Sequence, residues 1–291
     1  TSGSSEGLFS SIATLINKGD RILIPSIGYP AYENIIEILG GEIITYELDD
    51  NFKIDMEDLK LKLNYNKVKI IILSHPSNPT GSVLELNEYE ILSEMLKDKN
   101  LYIITDEVYE AFSYKKNYSI AMNKSLLNKT VYIGGFSKMF SATGLRMGFI
   151  AASDKITNEI IKTHQYNVSC ANSISQYGVL EGLKYNLYFV DLMKKEFIKR
   201  KNYCIDRLKE LGIEVVEPEG GFYIFPSIKR FNLLSEEFCT RLLEEYGVAC
   251  VPGSSFGDRG EGYIRISFCY PLDHLMKAFE LLGEFIIRLN N

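Results

Sequence analysis

Apolar runs and amphipathic stretches alternate through the first two thirds of the 291-residue chain. The apolar runs are short and rich in Ile and Val, which predicts strands at residues 21–24, 42–46, 69–73, 101–105, 130–133 and 147–151. Several of these runs lack polar alternation, as a sheet buried on both faces requires. The stretches between them, such as 30–39 and 86–97, have the spacing of amphipathic helices. The pattern predicts an α/β fold in which helices sandwich a mostly parallel sheet.

The rhythm changes after about residue 173. A long helical pattern runs from residue 192 to 211, and Gly212 follows it as a stop signal. Beyond it, strands are predicted at 213–216, 222–225 and 264–268, and helices at 235–246 and 272–289. This second pattern indicates a smaller α+β domain. We therefore predict a large domain at residues 1–180 and a small C-terminal domain at residues 181–291.

Composition and charge narrow the classes of function. The chain is 46% hydrophobic and 24% charged, which is typical of a soluble protein. A formal net charge of −6 without a basic cluster argues against a nucleic-acid surface, and strand-sized apolar runs argue against a membrane-spanning helix. The five cysteines are odd in number and never spaced as CxxC, as in the reduced thiols of a cytoplasmic protein. With the three histidines also dispersed, no metal site is expected.

Polar and charged side chains follow three of the predicted strands. In an open parallel sheet, ligands bind at the carboxyl ends of the strands. The first strand of the three is followed by an Asn-Pro-Thr-Gly turn, the second by an acidic pair and a tyrosine, and the third by a lysine and an arginine. One edge of the sheet would thus hold Asn78, Asp106, Tyr109, Lys138 and Arg146. The sequence predicts a binding site at this edge.

Each of these residues also has a simpler interpretation. The turn at Asn78 can be set by its Pro and Gly alone, and Asp106 with its neighbouring glutamate can cap a helix. Lys138 can be a solvated surface charge, and Arg146 an ordinary ion-pair partner. Their joint occurrence, each after a predicted strand, favours the site.

Six motifs carry a resemblance to a known family. In chain order they are Tyr29-Pro30-Ala31-Tyr32, Asn78-Pro79-Thr80-Gly81, Asp106-Glu107-Val108-Tyr109, Ser137-Lys138 with Gly144-Leu145-Arg146-Met147-Gly148, Gly220-Gly221-Phe222-Tyr223 and Ile264-Arg265-Ile266-Ser267. This order resembles the class I/II aminotransferases of fold type I, which use pyridoxal 5′-phosphate, and the similarity covers essentially the whole chain. Residues 164–177 are similar to the bacterial aminotransferase A and aspartate aminotransferase branch. The resemblance implies a cytoplasmic homodimer that moves an amino group between an L-amino acid and a 2-oxo acid by a ping-pong mechanism.

The resemblance also assigns roles around the cofactor ring. Lys138 would carry the cofactor through its aldehyde and then move a proton as general base and acid. Asp106 would keep the pyridine nitrogen protonated, which makes the ring an electron sink. Tyr109 and Asn78 match donors to the phenolic oxygen of the ring, and Tyr29 matches an aromatic residue stacked on it.

The phosphate and the substrate need further partners. Ser4 and Ser5 precede a helical pattern, so they would place N–H groups and hydroxyls at a helix N-terminus, where an anion is favoured. Considered alone, such a stretch is more often just an N-cap. By resemblance, Ser137 and Arg146 also contact the phosphate. Arg265 would hold the substrate α-carboxylate through two parallel hydrogen bonds, with Asn78 beside it.

Two alternatives remain open at this stage. A C–S β-lyase of the same fold would use the same lysine, aspartate and arginine. A catalytically silent fragment is the other, because relatives carry a segment before the phosphate loop, whereas this sequence begins there. That segment normally supplies a pocket wall and a tyrosine to the neighbouring subunit. This form is therefore expected to show weak or no transamination, with aspartate, aromatic or acylated diaminopimelate substrates for an extended form.

Overall fold

The computed structural model describes residues 1–289, and the larger of its two sheets has six strands. The last two residues of the predicted C-terminal domain, 290–291, lie outside the described residues. The strands are β1 (Arg21–Pro25), β2 (Glu42–Tyr46), β3 (Val68–Ser74), β4 (Tyr102–Asp106), β5 (Thr130–Gly135) and β6 (Gly148–Ala152). They lie in the order β2-β1-β3-β4-β5-β6, with the first five parallel and β6 antiparallel to β5. The predicted α/β fold with a mostly parallel sheet is confirmed.

Helices cover both faces of this sheet. The helices of the chain are α1 (Ser4–Leu15), α2 (Ala31–Ile38), α3 (Met56–Tyr65), α4 (Leu86–Lys97), α5 (Phe136–Met139), α6 (Asp154–Val168), α7 (Ser173–Tyr185), α8 (Leu187–Glu210), α9 (Ser235–Tyr246) and α10 (Leu272–Leu289). Alternate residues of a strand point to opposite faces. In β3, Ile70 and Ile72 pack in one core with α1, α2 and α6, whereas Ile71 and Leu73 pack in another with α3 and α4. This two-sided burial explains why β3 is apolar without alternation.

A second, three-stranded sheet follows in the last third of the chain. Its strands are β7 (Tyr223–Ile224), β8 (Val251–Pro252) and β9 (Ile264–Ser267), in the antiparallel order β7-β9-β8. They pack with α8, α9 and α10 around buried aromatic rings such as Phe238, Phe279 and Phe285. The same core includes Tyr109 and Phe112, which follow β4 of the larger sheet. The domain boundary near residue 180 stays a prediction.

Two strand predictions in this last third need correction. Residues 213–216 are not a strand within the described part of the chain. Their backbone hydrogen bonds lie outside any ladder: the Ile213 N–H donates to the Leu208 carbonyl at 2.9 Å, and the Glu214 carbonyl accepts from the Ser227 N–H at 2.9 Å. The strand predicted at 222–225 shortens to the two residues of β7, and β8 was not predicted at all. Helices α4, α9 and α10 have the predicted bounds.

The same structure bears on membrane association. Within residues 1–289, none of the helices has the length and apolar character needed to cross a bilayer.

Candidate active site

A cavity of about 250 Å³ lies at the carboxyl ends of β3, β4 and β5. All of the residues that the sequence predicted for the site line it: Ser4, Ser5, Tyr29, Asn78, Asp106, Tyr109, Ser137, Lys138, Arg146 and Arg265. A larger cavity of about 430 Å³ lies against α10, but its walls are mainly apolar. Because only the smaller cavity combines a lysine, a carboxylate and two arginines, we place the candidate site there.

Lys138 follows β5 directly, in the short helix α5. Its Nζ atom lies 5.9 Å from the ring centroid of Phe222. Burial lowers the pKa of the Lys138 ammonium; the positive charges of Arg146 and Arg265 lower it further, against an opposing effect of Cys269. The lowered pKa raises the fraction of free amine, the form that attacks an aldehyde or accepts a proton.

Asp106 ends β4, and part of its surface faces the cavity. Its Oδ2 atom accepts a hydrogen bond from the Tyr32 hydroxyl at 2.8 Å, and the Val108 N–H donates to Oδ1 at 3.3 Å. Burial raises the pKa of the Asp106 carboxyl, whereas these two hydrogen bonds lower it. Burial also raises the pKa of Tyr32 well above its ordinary value, so this phenol acts as a neutral donor. Asp106 thus has donors but, within the described residues, no cationic partner.

Tyr32 is a functional side chain that the sequence argument missed. It lies in the first turn of α2, three residues after Tyr29, and the two rings meet edge to face with their centroids 5.7 Å apart. Tyr29 precedes α2, and the Tyr32 N–H donates to the Tyr29 carbonyl at 3.0 Å, so the short Tyr29-Pro30-Ala31-Tyr32 motif was an available signal.

The N-terminus of α1 and Arg146 form one corner of the cavity. Gly3 precedes the helix at φ +80°, and none of the described side chains caps the N–H groups of the first turn. Because a Cβ atom at Gly3 would overlap the Arg146 guanidinium, the backbone and this cation are in close approach. Ser4 and Ser5 add hydroxyls at the same corner. Helix N–H groups beside a guanidinium are the donors that a phosphate requires.

Gly135 illustrates how tightly this corner is packed. A Cβ atom there would lie 3.3 Å from Cβ of Ser4. Ser4 therefore occupies the space that a side chain at Gly135 would need.

Arg265 lies on β9 and is fixed from three sides. Its Nη1 atom donates a hydrogen bond of 2.8 Å to Oδ1 of Asn78. The guanidinium carbon lies 4.1 Å from the ring centroid of Tyr223 and 4.8 Å from that of Phe256. A guanidinium stacked between two rings keeps a fixed plane, which suits bidentate binding of a carboxylate. Phe256 was not predicted from the sequence.

Tyr109 completes the wall between the two sheets. Its ring packs edge to face against Phe222 and Tyr223, with centroid distances of 5.3 and 5.9 Å. Burial, followed by the effect of Tyr223, raises the pKa of the Tyr109 phenol well above its ordinary value. The hydroxyl therefore stays protonated and can act as a donor in the cavity.

Glu107 neighbours Asp106 but does not line the cavity. Its side chain is buried, and its Oε1 atom accepts hydrogen bonds from Thr105, at 2.8 Å, and from Ser119. The Oε2 atom is buried without a partner among the described residues. Burial raises the pKa of Glu107 from 4.5 to about 7, despite the hydrogen bonds from Ser119 and Thr105.

This raised pKa predicts a loss of stability with pH. Between 4.5 and 7 the folded state binds more protons at Glu107 than the unfolded state, so the free energy of unfolding falls as pH rises through this range. Between pH 5.5 and pH 9, Glu107 should lower the free energy of unfolding of the wild type by about 2 kcal/mol, and Glu107→Gln should not show this decrease. Urea unfolding of both proteins at the two pH values measures it, with Glu110→Gln as an exposed control. An unchanged pH dependence in Glu107→Gln would show that the carboxyl is already ionised at pH 5.5.

Comparisons with known proteins agree with the fold. The profile of the family described as aminotransferase class I and II matches residues 1–280. A probable N-acetyl-LL-diaminopimelate aminotransferase of Bacillus subtilis is 40% identical over 290 residues, which are 99% of this chain and 73% of that protein. A probable aspartate aminotransferase of Methanocaldococcus jannaschii is 38% identical over 98% of this chain and 76% of its own length. Among solved structures, an aromatic aminotransferase from Pyrococcus horikoshii superimposes with a TM-score of 0.94 at 34% identity, covering 98% of this chain and 78% of that one.

Proposed function

Because this chain belongs to the family of class I and II aminotransferases, we propose that its cavity binds pyridoxal 5′-phosphate and that Lys138 carries this cofactor. The chain is an aminotransferase, which moves an amino group from an amino acid to a 2-oxo acid. The observation that carries the assignment of the cavity is its set of charges. A half-buried lysine lines the cavity together with the Asp106 carboxylate, and the N-terminus of α1 meets Arg146 at a corner that suits an anion.

The residues of the cavity fit the cofactor at both of its ends. The corner of Gly3, Ser4 and Arg146 offers N–H groups, a hydroxyl and a guanidinium, which suit a phosphate. Asp106 lacks a cationic partner within residues 1–289, and a protonated ring nitrogen would supply one. Ser5 and Ser137 would add phosphate contacts, and Tyr29 would stack on the ring.

The chemistry then divides among few side chains. The bound cofactor supplies an electron sink for the electrons released at the substrate α-carbon. Asp106, held by the Tyr32 hydroxyl, keeps the proton on the ring nitrogen. Lys138, with its lowered pKa, would remove the α-proton as general base and deliver it as general acid to the C4′ carbon of the cofactor. Tyr109 and Asn78 would donate to the phenolic oxygen of the ring.

Arg265 and Asn78 are proposed to orient the substrate. Arg265 is already stacked and hydrogen-bonded to Asn78, so its guanidinium loses little conformational freedom when a carboxylate binds. Two parallel hydrogen bonds to the α-carboxylate would fix the direction in which the α-proton points. That geometry brings the proton to the Lys138 amine.

Arg265→Lys should therefore weaken amino-acid substrates strongly. An ammonium cannot reproduce the bidentate fork, and the loss of one charge-assisted contact should cost about 1.5–3 kcal/mol, or about ten- to 150-fold in kcat/KM. Steady-state kinetics measure kcat/KM for the substrate, and titration with pyridoxal 5′-phosphate measures the Kd of the cofactor. The cofactor Kd should stay unchanged. If only that Kd changed, Arg265 would belong to the phosphate, and the role of Arg146 would need reassignment.

A C–S β-lyase reaction is the alternative that shares these residues. An amino acid with sulfur on its β-carbon separates the two activities. An aminotransferase converts it to the corresponding 2-oxo acid in the presence of an acceptor, whereas a lyase releases pyruvate, ammonia and the thiol. We expect the 2-oxo acid; release of ammonia and thiol as the main products would favour the lyase, and neither set would favour the silent fragment.

We further propose a cytoplasmic homodimer. Its support is an exposed apolar face on α7, where Ile174, Tyr177 and Tyr185 have exposed fractions of 81%, 72% and 69%. Exposed apolar patches of this kind mark association surfaces. Free thiols at all five cysteines agree with a reducing compartment. Sedimentation equilibrium that gave only the monomer mass would contradict the dimer, and a disulfide in protein isolated from its cells would contradict the compartment.

A further inference from the structure

Residues 217–221, here called the entry segment, precede β7. The carboxylate of Glu219 holds this segment in place. The Glu219 side chain is 12% exposed. Its Oε2 atom lies 2.6 Å from Nζ of Lys53, and its Oε1 atom lies 2.6 Å from Nζ of Lys115. The Val83 N–H also donates to Oε2, at 3.3 Å. Burial alone would raise the pKa of Glu219, but the hydrogen bonds from Lys115 and Lys53 hold it below its ordinary value.

These three partners come from separate connections of the larger sheet. Lys53 lies between β2 and α3, Val83 between β3 and α4, and Lys115 after β4. The Glu219 carboxylate therefore links three connections of the larger sheet to the entry segment, which precedes the first strand of the smaller sheet.

The entry segment also contacts the turn that carries Asn78. Glu219 N–H donates to the Gly81 carbonyl at 2.9 Å, and a Cβ atom on Gly81 would lie only 2.9 Å from the Gly220 carbonyl oxygen. Gly81 is the last residue of the Asn78-Pro79-Thr80-Gly81 turn. The entry segment thus packs directly on the turn that carries Asn78, the acceptor of the hydrogen bond from Arg265.

The other end of the entry segment leads to Tyr223, which contacts Arg265. Two residues after Gly221 comes Tyr223, whose ring stacks on the Arg265 guanidinium at 4.1 Å. The Phe222 ring lies 5.9 Å from Nζ of Lys138. A shift of the entry segment would therefore move Tyr223 and Arg265 relative to Asn78 and Lys138.

We propose that Glu219 is a positioning residue, which acts through the entry segment to hold Arg265 and Asn78 at the separation that binds the substrate carboxylate. This inference rests on the proposed function of Arg265. Glu219 touches neither substrate nor cofactor in this role. Its effect is on the register between the two sheets that together form the cavity.

The surrounding charges allow the role to be tested without unfolding the protein. Lys53 Nζ also donates to the Val83 carbonyl at 2.9 Å and lies 3.5 Å from Oε1 of Glu85. If Glu219 loses its charge, Lys53 keeps these partners and is not left as an unpaired buried cation. Lys115 is 60% exposed and returns to water.

Glu219→Gln is the test, with Glu214→Gln as the matched control. Glu214 lies five residues earlier, is exposed and forms no ion pair within the described residues. In the holoenzyme, Glu219→Gln should raise KM for amino acid and 2-oxo acid by about five- to twentyfold and change kcat less than about twofold. The cofactor Kd should stay the same, and Glu214→Gln should resemble the wild type. Lys115→Met, which removes one exposed cation, should give a smaller rise in KM.

Hydrogen–deuterium exchange of the cofactor-free proteins gives a readout that does not depend on activity. The amides of residues 219–224 should exchange faster in Glu219→Gln than in the wild type. A lowered Tm with unchanged KM would mean that Glu219 only stabilises the fold, and unchanged KM with unchanged exchange would also overturn the proposal. A wild type without amino transfer would instead refute the proposed function, and exchange together with binding of an unreactive dicarboxylate would still decide the role of Glu219.

Discussion

Lys138→Ala is expected to lower kcat for amino transfer by about 10⁴-fold or more, because this one amine is assigned both the covalent bond to the cofactor and the proton transfer. The expectation rests on the position of Lys138 after β5, in a cavity that lowers the pKa of its ammonium. Borohydride should fix the cofactor covalently to the wild-type chain and to no lysine of the variant. Peptide mapping of the labelled protein by mass spectrometry measures this directly.

Lys138→Arg separates the loss of charge from the loss of chemistry. A guanidinium keeps the positive charge but neither condenses with an aldehyde nor gives up its proton near neutral pH. This variant should be as inactive as Lys138→Ala while retaining its fold by circular dichroism. Label on another lysine, or substantial turnover by either variant, would show that the amine has been assigned to the wrong residue.

Asp106→Asn should have the second largest effect, a loss of about 10³-fold in kcat with the fold nearly intact. A neutral amide cannot hold a proton on the ring nitrogen, and the loss of several kcal/mol of that charge interaction converts to about tenfold per 1.4 kcal/mol. Asparagine has nearly the same shape and can still accept the hydrogen bond that Tyr32 donates to Oδ2. Single-turnover rates of α-proton removal measure the loss.

The neighbouring carboxylate provides the control for Asp106. Glu107 is buried beside it but does not line the cavity, so Glu107→Gln should keep nearly normal turnover. Near-normal turnover by Asp106→Asn, or an equal loss in both variants, would refute the electronic role of Asp106.

The positions that sequence could predict are those fixed by local structure. Asn78, Asp106 and Lys138 each follow a strand of a parallel sheet, and the carboxyl ends of such strands meet at one edge. Their strands are apolar runs that are evident in the sequence, so this edge of the sheet can be predicted from the sequence alone. The expected family and the aminotransferase activity are confirmed for the chain.

The positions that sequence missed depend on contacts between distant segments. Tyr32 gains its place in the site from a hydrogen bond to Asp106, 74 residues away. Phe256 contributes because its ring centroid lies 4.8 Å from the guanidinium carbon of Arg265. The wrong strand at 213–216 has the same origin, since its apolar residues resemble a strand but the sheet offers them no partner.

The central claim is that the cavity around Lys138 performs amino transfer on a bound cofactor, and one single-turnover measurement tests it most directly. Protein loaded with pyridoxal 5′-phosphate is mixed with excess L-glutamate and no acceptor, and the products are quantified by mass spectrometry. We expect one equivalent of 2-oxoglutarate and one of the amino form of the cofactor per loaded site, without free ammonia. Because the end point and not the rate is measured, the weak transamination expected of this form leaves this stoichiometry unchanged. Continuous release of ammonia, or no 2-oxoglutarate from a fully loaded site, would contradict it.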